Sequence, residues 1–205
     1  MKGLFDVSGK TVLISGGSSG IGAMMARGFL EHGAKVFLMA RKDEALRAKA
    51  EELSTFGECV PIQADLSSIR GIDEAHAKIC LETKTIDALV NNAGANWAEP
   101  LAQFRETGWD KVMDINIKSM FFMTQRMLPL MQGGVSGDPA RVINIASING
   151  LRNSGLPTYA YTASKSAVIH LTRHLGAELA QSNITVNAIA PGLFASKHEC
   201  LPGNG

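Results

Sequence analysis

The feature that most constrains the fold is a glycine-rich turn between an apolar run and a helical pattern. Residues 11–15 read Thr-Val-Leu-Ile-Ser, a partly β-branched run that is typical of a buried strand. Residues 16–22 read Gly-Gly-Ser-Ser-Gly-Ile-Gly, and apolar residues at helical spacing follow. A helix that begins at such a turn directs backbone N–H groups and the positive end of its dipole at one place. The stretch therefore predicts a site for a diphosphate.

The glycine spacing differs from the usual dinucleotide fingerprint. That fingerprint is Gly-x-Gly-x-x-Gly, whereas Gly16, Gly20 and Gly22 give Gly-x-x-x-Gly-x-Gly. A glycine-rich turn taken alone also has a second interpretation, a plain structural turn. The predicted strand before it and the predicted helix after it favour the nucleotide-binding interpretation.

Apolar runs alternate with helical patterns along the rest of the chain. We predict strands at residues 11–15, 35–40, 60–64, 88–91, 141–146 and 185–190. We predict helices at residues 20–32, 43–56, 67–82, 108–131 and 159–181. Such alternation is typical of right-handed βαβ units, and most of the runs lack polar alternation, as in strands buried on both faces. The predicted fold class is α/β, a doubly wound Rossmann-type parallel sheet with helices on both faces.

Composition excludes several classes of function. The chain has 205 residues and a formal net charge of +1, with no run of like charge, so we expect no nucleic-acid partner. The first residues lack the apolar core of a signal peptide, and no apolar run approaches the length that spans a membrane. Cys59, Cys80 and Cys200 are far apart and odd in number, which is typical of free thiols in a reducing compartment. We therefore expect a cytoplasmic protein.

The end of the second predicted strand indicates which nucleotide is bound. An acidic residue there favours NAD, but this strand ends in Ala40-Arg41-Lys42. A guanidinium forms charge-assisted pairs with phosphate, so Arg41 favours NADP(H) through its 2′-phosphate, unless Arg41 is only a solvated loop residue. After the third strand, Asp65 could accept a hydrogen bond from the adenine amino group or cap the helix that begins near Ser67.

Two further stretches have both a functional and a structural interpretation. Asn91-Asn92-Ala93-Gly94 follows the fourth predicted strand and could line a cofactor cleft or simply form a turn. Trp97 could wall the pocket or cover the core. His170 and His174 are four residues apart on a predicted helix, but without a third ligand we interpret them as a polar helix face, and we expect no metal site.

Tyr161 and Lys165 carry the predicted chemistry. They are four residues apart on a predicted helix, so their side chains are adjacent. An ammonium next to a phenol stabilises the phenolate, and a phenol with a lowered pKa can give a proton to a carbonyl or take one from an alcohol. The alternative is an amphipathic helix that happens to carry both residues.

Two polar residues could support this pair. Ser147 ends the fifth predicted strand, where its hydroxyl could hold a substrate oxygen or simply begin a turn. Asn116 lies within a predicted helix, although Asn is a poor helix-interior residue, which indicates a polar role, a kink or a solvent-facing position.

Taken together, the motifs resemble those of the short-chain dehydrogenase/reductase family, in its order and at similar separations, up to about Lys197. The resemblance implies that Tyr161 is the general acid/base, that Lys165 holds the nicotinamide ribose and tunes Tyr161, that Ser147 steadies the substrate oxygen and that Asn116 supports a water in the proton relay. It implies bound NADP(H) and a cofactor site of Ser15, Gly16, Ser18, Ser19, Gly20, Ile21, Gly22, Arg41, Asp65, Leu66, Asn92, Ala93, Gly94, Tyr161, Lys165, Pro191 and Gly192.

Within the family, the chain looks most similar to the 3-oxoacyl reductase branch, including the rhamnolipid-associated type. Ser15 replaces a more usual Thr, and Ser19 stands where many NADP-dependent members have a basic residue, so Arg41 would be the main 2′-phosphate contact. The resemblance also implies a homodimer or homotetramer and a small-molecule carbonyl or alcohol as the substrate.

The carboxyl end departs from the family pattern. We expect one catalytic domain at residues 1–197 and a loose tail at 198–205, with the substrate-lid helices and the last strand of the family absent. An incomplete substrate pocket leaves a second hypothesis, a cofactor-binding protein with little or no activity.

Overall fold

Six apolar runs of the chain form the strands of one sheet. A computed structural model describes residues 6–131, 138–153 and 155–192. The strands are β1 Thr11–Ser15, β2 Lys35–Ala40, β3 Cys59–Gln63, β4 Ala88–Asn91, β5 Ala140–Ile145 and β6 Ile184–Ile189. All are paired in parallel, in the order β3-β2-β1-β4-β5-β6. The predicted doubly wound α/β fold is confirmed.

The helices lie between the strands in sequence. They are α1 Gly20–Glu31, α2 Asp43–Leu53, α3 Ile69–Glu82, α4 Glu106–Met113, α5 Ser119–Met127 and α6 Tyr159–Leu179. Among the described residues, none of these helices combines the length and apolar character needed to cross a bilayer. The expected tail at 198–205 lies outside the described residues, and so do the end of the predicted domain and Cys200.

Alternate residues of the central strand enter two separate cores. Leu13 packs in the cluster that includes residues of α3, α5 and α6, whereas Val12 and Ile14 pack in the cluster with residues of α1 and α2. Successive side chains of a strand point to opposite faces, so a strand that is apolar at every position needs helices on both faces. This explains why β1 lacks polar alternation.

The strand order reverses at β1. This strand pairs with β2 on one side and with β4 on the other, so the connections that follow β1 and β4 leave the sheet in opposite directions. A crevice forms at such a point, outside the carboxyl ends of the strands. The glycine-rich turn after β1 and the Asn92-Ala93-Gly94 stretch after β4 both lie there, whereas Asn91 is the last residue of β4 and its side chain is bonded to Thr124 and Asn144.

Several predicted boundaries are wrong by one or a few residues. Strands β3, β5 and β6 begin and end one residue earlier than predicted, because the bounds follow pairing with neighbouring strands. Helix α3 begins at Ile69, because the Ser68 hydroxyl accepts a hydrogen bond from the Gly71 N–H and caps the helix. Helix α2 ends at Leu53 and α6 at Leu179, each before the predicted end.

The predicted helix at 108–131 is not uniform. Helix α4 begins at Glu106, and Asp114–Lys118 forms a wider π-type turn between α4 and α5. Such turns interrupt the regular hydrogen-bond ladder and are frequent at functional sites. Asn116 is at the centre of this turn and is buried.

Candidate active site

Two glycines of the first turn are required by close backbone contacts. Gly16 has a φ of +65°, and a Cβ there would lie 2.8 Å from the Ala93 Cα. A Cβ at Gly22 would lie 2.3 Å from the Gly16 carbonyl oxygen. These contacts bring α1 and the segment after β4 against the same turn, so the turn has a structural reason for glycine besides ligand access.

Ser15 and Asn92 join the ends of β1 and β4. The Ser15 hydroxyl accepts hydrogen bonds from the N–H groups of Asn92 and Ala93, both at 3.0 Å, and donates to the Val90 carbonyl. The Asn92 amide group donates to the carbonyls of Ser15 and Gly16 at 3.0 Å. The side chain of Ser15 therefore shapes the crevice from within, and it is only 2% exposed.

The amino end of α1 has no side-chain cap. Ser19 precedes the helix in an extended conformation without a capping hydrogen bond, and the first turn carries no acidic residue. Ser19 and Gly20 are exposed, while Ser18 and Ile21 are partly buried. The first N–H groups and the positive end of the helix dipole are therefore available to an anion.

A cavity of about 620 Å³ lies beside this turn. It is lined by the ends of β2, β3 and β4 and by the first turns after them, including Gly16, Arg41, Asp65, Leu66, Ala93 and Gly94. Arg41 is exposed at its edge. Six residues of the predicted cofactor site thus line one cavity, which is large enough for part of a nucleotide.

Asp65 forms a local turn on the cavity wall. One oxygen of its carboxylate accepts hydrogen bonds from the Ser67 N–H at 3.0 Å and the Ser67 hydroxyl at 2.8 Å. These bonds lower the pKa of Asp65, and the positive charge of Arg41 lowers it further to a smaller extent. The helix cap that was the alternative for Asp65 is formed by Ser68.

Gly94, Asn116 and Lys165 meet although they are far apart in sequence. A Cβ at Gly94 would lie 3.5 Å from Asn116 Oδ1 and 3.9 Å from Lys165 Nζ. The Asn116 side chain accepts from the Ala95 N–H at 2.7 Å and donates to the Ala95 carbonyl at 3.0 Å. The π-type turn thereby fastens the segment after β4 to α6.

Lys165 of α6 is buried, and its side chain packs against the end of β5. Its ammonium donates to the Ile145 carbonyl at 2.7 Å and lies 5.6 Å from the centre of the Tyr161 ring. Burial lowers the pKa of Lys165 to about 8. The two side chains therefore lie close together on α6, at the separation that their spacing predicts.

Ser147 and Pro191 are brought together by β5 and β6. Ser147 is 8% exposed, and its hydroxyl accepts from the Asn149 N–H at 3.2 Å. The next residue, Ile148, donates its N–H to the Pro191 carbonyl at 2.9 Å. Gly192 follows and is exposed. These residues lie at the same edge of the sheet as Lys165, which is bonded to Ile145.

Some contacts of the site have no signal in the sequence. The Ile145 carbonyl that receives Lys165 belongs to the backbone, which any residue could supply. Trp97 lies against Gly108, where a Cβ would come within 2.5 Å of the indole, and its Nε1 donates to Glu99 at 3.1 Å. Trp97 therefore packs over α4 next to the cavity, and its position follows from contacts that only the folded chain makes.

The described residues hold no group of three or more His, Cys, Asp or Glu side chains placed to bind a metal. His170 and His174 are both exposed on α6. The structure does show a buried ammonium beside a phenol on α6, and an uncapped helix end at the turn after β1.

Comparison with known proteins gives the same picture. Residues 10–199 match the family model for short chain dehydrogenases. The chain is 44% identical over 194 residues to a rhamnolipids biosynthesis 3-oxoacyl-[acyl-carrier-protein] reductase of Pseudomonas aeruginosa, covering 94% of this chain and 76% of the relative. It is 38% identical over 195 residues to a 2-dehydro-3-deoxy-D-gluconate 5-dehydrogenase of Dickeya dadantii, covering 95% and 75%.

A solved structure is also similar over most of the chain. The Pseudomonas aeruginosa RhlG/NADP active-site complex superposes with a TM-score of 0.92 at 43% identity, covering 96% of this chain and 77% of that one. The fold is therefore shared with a protein solved together with NADP.

Proposed function

The chain belongs to the short-chain dehydrogenase family and is an NADP-dependent oxidoreductase, and on that premise we propose that it reduces a 3-oxoacyl compound through Tyr161 and Lys165. The single observation that carries this proposal is the position of Lys165. Its ammonium lies within reach of the Tyr161 ring, the Ile145 carbonyl and the backbone at Gly94, which come from three different elements. Bound NADP(H) supplies or accepts the hydride.

The residues around the crevice fit the cofactor. The uncapped amino end of α1 suits the diphosphate, and the exposed Arg41 guanidinium suits a 2′-phosphate. At Gly20, which begins α1 with a φ of +54°, a Cβ would meet nothing within 4 Å, so the backbone there is open to a ligand. Pro191 and Gly192 would border the nicotinamide, since their backbone is bonded next to Ser147.

The protein's own groups perform the proton transfer. The Tyr161 hydroxyl would give its proton to the carbonyl oxygen of the substrate, and Ser147 would steady that oxygen by a hydrogen bond. The Lys165 ammonium stabilises the resulting phenolate electrostatically and can return a proton, since burial lowers its pKa to about 8. Both amide hydrogens of Asn116 are bonded within the protein, so its side chain could meet a water only as a hydrogen-bond acceptor.

We propose that the part of the substrate beyond the reacting carbonyl is an acyl chain. Leu101, Leu151 and Leu156 are 71%, 60% and 57% exposed, in the segments that follow β4 and β5. Those segments are joined by a hydrogen bond from the Glu99 N–H to the Pro157 carbonyl at 3.1 Å. Exposed apolar side chains on neighbouring segments are typical of a surface that binds an apolar ligand. The relative that is 44% identical is named for a 3-oxoacyl substrate.

The test compares two tyrosines of one helix. With NADPH and a series of 3-oxoacyl thioesters, Tyr161→Phe should lower kcat at least about a hundredfold, because proton transfer contributes that much, while the Kd for NADPH stays within about twofold. Tyr159→Phe is the matched control, since its ring is 40% exposed and packs on Phe104.

Three outcomes would contradict the proposal. Binding of NADPH without turnover of any compound in the series would favour a cofactor-binding protein, and equal losses in the two variants would remove Tyr161 from the chemistry. A preference for a polar sugar acid over the thioesters would reject the acyl substrate.

We also propose a homodimer or homotetramer in the cytoplasm, built on residues 1–197 as one catalytic domain. Trp109, Met113, Ile117 and Phe121 recur every four residues along α4, the π-type turn and α5, and each is partly exposed. A second copy of this chain would cover such a stripe. Cys59 and Cys80 are free thiols, which supports a reducing compartment.

A further inference from the structure

Ser164 is a buried hydroxyl between two residues of the candidate site. It lies on α6 just before Lys165 and is 0% exposed. Its Oγ accepts a hydrogen bond from Asn116 Nδ2 at 2.9 Å and donates one to the Tyr161 carbonyl at 2.7 Å. The proposed proton transfer uses neither of these bonds.

The donation to Tyr161 is common for serine in helices, but the bond from Asn116 is not. A serine hydroxyl often donates to a carbonyl three or four residues earlier in its own helix. Here the same oxygen also receives an amide hydrogen from a different element, the π-type turn. Ala95, Asn116, Ser164 and Tyr161 therefore form one continuous line of hydrogen bonds, from the segment after β4 to the first turn of α6.

We infer that Ser164 is a positioning residue that holds the first turn of α6, and with it the Tyr161 ring, at a fixed distance from Asn116 and Lys165. The inference rests on the proposed role of Tyr161. Loss of the hydroxyl leaves one buried amide hydrogen of Asn116 without its partner and frees the first turn of α6 from the π-type turn. A small displacement of a proton donor has a large effect on rate.

The same helix supplies a matched control. The Thr172 hydroxyl accepts from Asn144 Nδ2 at 3.0 Å and donates to the Val168 carbonyl at 2.7 Å. Thr172 is 5% exposed and lies eight residues after Ser164, about two helical turns away. Its bonds have the same pattern as those of Ser164, but they hold α6 to β5 away from Tyr161.

The kinetic test compares Ser164→Ala, Ser164→Cys and Thr172→Val. We expect Ser164→Ala to lower kcat about tenfold with KM for NADPH within about twofold. Ser164→Cys keeps a weak hydrogen-bonding group at this position, so its kcat should lie between those of the alanine variant and the unaltered chain. Thr172→Val should change the melting temperature and leave kcat within about twofold. Equal losses of kcat in the alanine and valine variants, or no loss in either, would overturn the inference.

A second measurement does not need turnover. The chain has two tyrosines, so Tyr159→Phe labelled with 3-fluorotyrosine reports on Tyr161 alone by fluorine NMR. We expect Ser164→Ala to broaden or split the Tyr161 resonance, and Thr172→Val to leave one line. A single unchanged Tyr161 resonance in Ser164→Ala would overturn this inference, whether or not a substrate is found. If every candidate substrate proves inert, that result counts against the proposed function and not against the role of Ser164.

Discussion

At the scale of single residues, Arg41 is the residue that we propose selects the cofactor. The side chain is exposed at the edge of the cavity after β2, and no carboxylate takes that position in the strand end Ala40-Arg41-Lys42. A guanidinium there forms stronger, charge-assisted hydrogen bonds with a phosphate than with a free ribose hydroxyl.

Replacing Arg41 should therefore change the preference between nucleotides. We expect Arg41→Ala to weaken NADPH binding about 10- to 100-fold, the effect of losing about 1.5–3 kcal/mol of charged hydrogen bonding, and to leave NADH binding nearly unchanged. Calorimetric titration measures both. Arg47→Ala is the control, since Arg47 is exposed on α2 and pairs with Asp43. Equal weakening of both nucleotides would show that Arg41 does not contact the 2′-phosphate.

Lys165 predicts how stability depends on pH. Its folded pKa of about 8 lies below the ordinary value of 10.5, so the unfolded chain binds more protons between these two values. Lys165 should therefore contribute a rise in the free energy of unfolding with pH through this window, by about 3 kcal/mol at most, measured as the difference from Lys165→Met. Urea titrations from pH 7 to 10.5 would measure it. Lys42→Met, which removes an exposed lysine, should keep the rise. A parallel pH dependence in Lys165→Met and the unaltered chain would refute the assignment.

At the scale of elements, the strand–turn–helix unit was predictable because its cause is local. The bounds of β1 were predicted without error, and α1 ends one residue before its predicted end. An apolar β-branched run and a glycine-rich turn act over a few residues, so they need no knowledge of the rest of the chain. One indication of the π-type turn at Asp114–Lys118 is present in the sequence, an asparagine inside a predicted helix. Its geometry depends on the hydrogen bonds between Asn116 and Ala95, which are distant in sequence.

Two glycines of α1 should respond to alanine in opposite directions. At Gly22 a Cβ would lie 2.3 Å from the Gly16 carbonyl oxygen, so Gly22→Ala should destabilise the protein and disturb the nucleotide turn. At Gly28 nothing lies within 4 Å of a Cβ, so Gly28→Ala should stabilise the helix by about 0.5–1 kcal/mol. Chemical denaturation measures both, and a stable Gly22→Ala protein with unchanged NADPH affinity would contradict the close contact.

At the scale of the whole molecule, the helices on one face leave an apolar stripe partly exposed. Trp109 is 41% exposed, and Met113 and Ile117 follow it at intervals of four residues. A residue of this size at the centre of an interface contributes strongly to association.

The proposed self-association predicts a dependence on concentration. Sedimentation velocity should show dimers or tetramers that dissociate on dilution, and Trp109→Glu should shift the protein to monomers by placing a charge in the interface. Lys111→Glu changes an exposed residue of the same helix and serves as the control. A monomer at every concentration would reject the interface.

The sequence by itself determined the features whose causes are local. The turn after β1 follows from glycines, and the adjacency of Tyr161 and Lys165 follows from helical spacing. Only the tertiary structure decided that Lys165 is buried with a pKa near 8, that Gly94, Asn116 and Lys165 meet, and that Ser164 bonds to Asn116. Burial and hydrogen bonding between distant segments depend on how helices pack on the sheet, and no pattern within one segment specifies them.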